Sequence, residues 1–155
     1  MISDDTHAIN YEELASLALK ARAGAYAPYS QYYVGAAILD IYGRISTGVN
    51  IENSSYGATI CAERSAIARA ISTFDDYDVN VDGGVFRAIA IAGGAKPEKE
   101  VLSGYAYPCG ICRQVLSEFA AADMKVIIVK SESEFKVYDL NELIPYAFTD
   151  ENLGQ

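Results

Sequence analysis

A chain of 155 residues is long enough for one domain with its own core, and a hydrophobic content of 51% excludes a disordered protein. A net charge of −9 and an isoelectric point near 4.5 argue against nucleic acid or an anionic membrane as the default partner, because that field repels polyphosphates. No apolar run reaches the roughly 18–20 residues of a membrane span, and MISDDTHAIN has no basic segment followed by an apolar one, so a soluble, cytoplasmic protein without a signal peptide is expected.

The first helix is predicted to start at Asn10, which can cap it, with Glu13 three residues on as the second half of a capping box. Leu14, Leu17, Ala18 and Ala21 give that helix an apolar face, and Gly24 ends it. AYAPYSQYY is a loop around Pro28. VGAAIL, residues 34–39, reads as a buried strand, Tyr42-Gly43 as a turn and Ile45–Asn50 as the second strand of a hairpin.

NSSYGAT is a polar loop, and residues 61–72 predict a helix with Ile67 and Ile71 on one face. Asp75–Gly84 is an acidic loop and VFRAIAIAG a third strand. AKPEKEVLSGYAY is another loop, broken by Pro97 and Gly104. A third helix starts near Cys109, with Ile111, Val115 and Phe119 spaced by four. KVIIVK and EFKVYDL are strands, and NELIPYAF is a last helical turn stopped at Pro145. Strands alternating with helices predict an α/β protein with helices on the sheet faces.

The chain has three cysteines: Cys61 in TICAERSAIARAIS, and Cys109 and Cys112 in YPCGICR. Each falls at or just inside a predicted helix start, where unpaired N–H groups and the helix dipole favour thiolate. Thiolates suit Zn²⁺. Buried apolar thiols and a redox dithiol are the other readings of the same spacing. A closed zinc site needs a fourth protein ligand, which would have to be a carboxylate or the single histidine, His7, near the terminus. An open site leaves the fourth position to water, which is the catalytic arrangement. Glu63, two residues after Cys61, is placed to reach such a water; as a first-turn acid it would otherwise simply complement the helix dipole.

C-A-E with P-C-x-x-C downstream resembles the zinc-dependent nucleobase deaminases. Within them the chain is similar to the small homotetrameric cytidine deaminases, over YAPYSQYYVGAAIL, GVNIENSSYGATICAER, YPCGICRQVLSEF and ELIPYAF. Having Cys61 where many relatives have His places it in the three-cysteine branch.

The resemblance implies one domain over residues 1–155, folded as a three-layer α/β/α structure with a mixed sheet of about five strands. It implies one Zn²⁺ held by Cys61, Cys109 and Cys112, with Glu63 as proton shuttle and Arg64 offsetting thiolate charge. It assigns Asn50 and Glu52 to the ribose 3′-hydroxyl, and Tyr32, where the family usually has Phe, to the base. The N–H of Ala62 and the carbonyl of Tyr107 would read the pyrimidine. Phe148 would come from a neighbouring subunit, and Ser54 and Tyr56 from a loop that reaches a neighbouring site. The implied reaction is hydrolytic deamination of cytidine and 2′-deoxycytidine in pyrimidine salvage. A related aminohydrolase acting on a nucleoside antibiotic, and a zinc-stabilised binding module closed by His7, are the rival readings.

Overall fold

The computed structural model describes residues 8–154. The elements in order are α1 (Tyr11–Ala21), β1 (Tyr33–Asp40), β2 (Ile45–Val49), α2 (Ala62–Thr73), β3 (Phe86–Gly94), α3 (Gly110–Phe119), β4 (Ala120–Val129), β5 (Phe135–Asp139) and the short α4 (Leu140–Leu143). His7 lies outside the described residues, so the fourth-ligand reading cannot be placed on the fold.

One five-stranded sheet runs in the order β2-β1-β3-β4-β5. The β3–β4 pair is parallel, and the other three pairs are antiparallel. The parallel pair is joined through α3, as a crossover between parallel strands requires. The sheet is thus mixed, as expected.

Strand alternation divides the core into two layers. Ala37, Leu39, Ala88, Ala90, Ala92, Ile127 and Val129 face α1. Ala36, Ile38, Ile89, Ile91, Val126 and Ile128 face the opposite way, toward residues of α2 and α3 such as Ala62, Ala66, Ile67 and Leu116. Each fully buried Leu or Ile contributes roughly 1.5–3 kcal/mol, so neither layer is expendable.

Asn10 caps α1 as predicted, its Oδ1 accepting a bond from the N–H of Glu13 at 3.1 Å. Of the predicted face of α1, Leu14 and Ala18 are buried and Leu17 packs partly buried against the core, while Ala15 and Leu19 rather than Ala21 complete the buried set. In α3 the buried residues are Cys112 and Leu116, while Ile111 is 63% exposed. Val115 and Phe119 pack partly buried against the core, as the four-residue spacing predicts, and Ile111 is the one of the three that is turned outward. β4 begins at Ala120, five residues before the predicted start, because pairing with β3 at Phe86 extends it backward through Ala- and Asp-containing sequence of poor intrinsic strand preference.

Helix α2 lies close against β2. A Cβ on Gly48 would stand 2.5 Å from the carbonyl oxygen of Ala62 and closer still to the N–H of Ala66. Only glycine allows this approach, and it fixes the N-terminal end of α2 beside the sheet.

Candidate active site

Two helix N-termini meet at one end of the sheet. Cys61 is the N-cap residue of α2, Cys109 the N-cap residue of α3, and Cys112 lies in the first turn of α3. No side chain caps either helix, so the first N–H groups of both are left for the site. Arg113 holds the Pro108-Cys109 turn in place, its Nε donating to the Pro108 carbonyl at 2.8 Å and its Nη1 to the Leu143 carbonyl at 2.7 Å.

The three Sγ atoms lie within 4.8 Å of one another, with Cys61 and Cys109 at 3.9 Å. Hydrogen bonding with Cys112, then with Arg64, holds the Cys61 thiol down at about 5. Its hydrogen bond to Cys61, together with burial, pushes Cys112 up instead. Cys61 is thus more readily ionised than an ordinary thiol, and Cys112 less so. Nη2 of Arg64 is 3.7 Å from Cys61 Sγ and donates to the Thr59 carbonyl at 3.2 Å. Its Nε is buried without a partner beside the thiols.

These donors fit Zn²⁺: three soft sulfur ligands on two fixed helix ends, and a guanidinium facing them. The redox alternative needs no third thiol and no such cation, and the apolar-filler reading does not explain three sulfurs converging.

Glu63 is buried, 4% exposed, in the first turn of α2. Burial, and then the charge of Cys61, push its carboxyl up to about 7. A carboxyl poised near neutrality can both take and give a proton.

A cavity of about 460 Å³ opens over this cluster, lined by Tyr32, Asn50, Cys61, Ala62, Glu63, Tyr107 and Cys109 among others. Seven expected site residues thus share one space, and Cys112 lies buried behind them. The Asn50 amide is engaged with β1: Oδ1 accepts from the Val34 N–H at 2.8 Å, and Nδ2 donates to the Tyr32 carbonyl at 2.8 Å. Tyr107 donates to or accepts from the hydroxyl of Tyr138 at 2.9 Å.

The remaining expected residues lie elsewhere in the chain. Glu52 and Tyr56 line a neighbouring cavity of about 250 Å³ with Tyr29, Ser30 and Thr59. There the Glu52 carboxylate accepts from the hydroxyl of Ser30 and from the N–H groups of Tyr29, at 2.9 Å, and Ser30, at 3.2 Å. The Ser30 hydroxyl bond, more than any other contact, holds that carboxylate's pKa low. Ser54 is exposed and lines neither cavity. Phe148 is 58% exposed, lies beside Ser117 and Glu118, and does not line the main cavity. Val34, Thr59, Ile91, Tyr105 and Ala106 complete the main cavity and were not anticipated. Apolar and small wall residues carry no chemical signature in sequence.

A three-layer fold with thiols on two helix ends and a buried carboxyl between them defines a metal-dependent hydrolase of the deaminase type. The family model of the cytidine and deoxycytidylate deaminase zinc-binding region matches residues 9–129. A cytidine deaminase of Halalkalibacterium halodurans is 41% identical over 137 residues, covering 88% of this chain and 92% of the relative. One from Sporosarcina psychrophila is 38% identical, covering 94% and 96%. The crystal structure of cytidine deaminase from Burkholderia pseudomallei superposes with a TM-score of 0.75 at 35% identity, covering 90% of this chain and all of that one. The chain belongs to the cytidine and deoxycytidylate deaminase family, and is an enzyme of its three-cysteine zinc branch.

Proposed function

We propose that the enzyme hydrolyses cytidine and 2′-deoxycytidine to uridine and 2′-deoxyuridine with release of ammonia, as a step of pyrimidine salvage in the cytoplasm. The observation that carries this reading is the buried Glu63 carboxyl sharing a cavity with the thiol cluster. Zinc held by Cys61, Cys109 and Cys112 supplies the Lewis acidity that makes water a nucleophile near neutral pH.

The chain's own groups do the rest. Glu63 takes a proton from the attacking water and gives it to N3 of the base, which makes C4 electrophilic. The water oxygen bonds to C4, Glu63 carries the proton left on that oxygen to the exocyclic nitrogen, and the C4–N bond breaks as ammonia leaves and the C4 carbonyl forms. The N–H of Ala62, at the first position of α2, and the carbonyl of Tyr107 orient the pyrimidine, and the Tyr32 ring lies along it. Arg64 balances part of the thiolate charge. Asn50 meets the ribose, with Glu52 in the adjoining cavity.

The family model covers nucleotide as well as nucleoside deaminases, and the lining of the cavities favours the nucleoside. Neither the main cavity nor the one containing Glu52 is lined by Lys or Arg, so a 5′-phosphate meets no cation in them. Cytidine and deoxycytidine are expected to turn over, and CMP, dCMP and single-stranded DNA are not. Absorbance and ammonia release, measured on zinc-replete protein at equal substrate and matched ionic strength, make the comparison. CMP turning over as fast as cytidine would refute the nucleoside assignment.

The reading includes a homotetramer with shared sites, to which Phe148, Ser54 and Tyr56 contribute from neighbouring subunits. Its support is that Tyr56, Ile111 and Phe148 are large apolar side chains left exposed on the single chain. A fully active monomer by light scattering would contradict it.

A further inference from the structure

Residues 95–107 join β3 to the segment bearing Cys109 and Cys112, and they end in Tyr105, Ala106 and Tyr107, which form a wall of the main cavity. The other end of this loop is held by an arginine that no functional reading uses. Arg22, just after α1, is 0% exposed. Its guanidinium donates to three backbone carbonyls: Nε to Tyr33 at 3.0 Å, Nη1 to Lys99 at 2.8 Å and Nη2 to Lys96 at 2.6 Å. Burying a cation is costly, and such a group persists where its donors fix something in place.

Two consecutive glycines at the end of β3 explain how this bond set reaches the cavity. They point to opposite faces of the sheet. On the α1 face, a Cβ at Gly94 would stand 3.1 Å from Nη2 of Arg22 and 3.0 Å from Leu102 Cδ2. On the cavity face, a Cβ at Gly93 would stand 2.7 Å from Ala106 Cβ and 2.9 Å from the Tyr32 ring. The loop is therefore tied down behind the sheet, and in front of it Ala106 and the Tyr32 ring both close over Gly93. Leu102 is buried between the two ends, and its N–H donates to the Lys130 carbonyl at 2.8 Å. The same guanidinium grips Tyr33, whose neighbour Tyr32 lines the cavity.

We propose that Arg22 is a positioning residue for substrate: it bolts the 95–107 loop to the start of β1 and so sets the distance between the Tyr32 and Ala106–Tyr107 walls. The kinetic part rests on cytidine being the substrate. The geometric part does not.

The test compares Arg22→Met and Arg22→Lys with wild type, all as full chains loaded with zinc and assayed well below their Tm. KM for cytidine is expected to rise about tenfold in Arg22→Met with kcat within about twofold, since displaced walls weaken binding more than proton transfer. Arg22→Lys should fall between, because one ammonium cannot span three carbonyls. Hydrogen exchange should quicken in peptides covering 95–107 and stay unchanged in α2, and zinc content should not change. If Arg22→Met does not fold, Gly94→Ala crowds the guanidinium without removing it, and the same KM rise and exchange pattern are expected.

An unchanged KM in folded variants overturns the proposal, whatever happens to Tm. If wild type does not deaminate cytidine, the functional reading fails separately. Exchange then decides alone: faster exchange through Tyr105–Tyr107 supports the bolt, and unchanged exchange overturns it.

Discussion

Two cavities of almost equal size draw on the same loop, and they differ in how their charged groups are set. One, about 440 Å³, lies between the second half of α1, residues 97–101 and the turn at 131–133. Its lining carries Lys20, Lys99, Glu98, Glu100 and Glu132, charges of both signs on exposed side chains. The other, about 460 Å³, is lined by no Lys or Arg and holds one buried carboxyl beside the thiols. Volume does not distinguish them. What does is convergence: helix ends and a desolvated acid aimed at one point, where a low local dielectric makes each charge count.

Cys112→Ala should break the contrast most completely. It removes a buried thiol from the cluster, and zinc retention should fall by more than the roughly 10–100-fold that loss of an outer partner costs. Turnover should drop to background, with metal content by atomic absorption reporting the cause. Glu63→Gln should come next. The amide cannot shuttle protons, so kcat should fall by about 10⁴-fold or more while zinc and Tm are kept. Near-normal deamination by this variant would remove Glu63 from the mechanism. The smallest effect belongs to the other cavity. Lys20→Ala and Glu132→Ala should leave kcat/KM for cytidine within about twofold, as exposed charges far from the chemistry rarely matter more. A larger loss would mean that the α1 cavity is coupled to catalysis.

Much of the site was readable because its chemistry needs rare residue types at fixed offsets. Cys61, Glu63, Cys109 and Cys112 announce two helix starts and a metal-competent set before any fold is known. Asn10 was readable for a similar reason, since an N-cap is a local bond between residues three apart. Arg22 was not readable. Nothing in KARAG marks a guanidinium that will be buried, because two of its three acceptors are backbone carbonyls more than 70 residues away in sequence. The Glu52 carboxylate is a parallel case: its bonds to Ser30 and to the N–H of Tyr29 come from a loop over 20 residues earlier.

The sequence by itself determined the strands, the helix starts and the thiol–carboxyl chemistry, because alternation, capping and ligand spacing are local properties. The tertiary structure decided which face of each helix is covered, where β4 begins, and the register that makes β3 and β4 parallel. Those depend on partners distant along the chain. Ile111 and Cys112 are adjacent in sequence, yet one is 63% exposed and the other fully buried. Helical spacing permits a face centred on either, and only the meeting of α2 with α3 at the sulfur cluster chose between them.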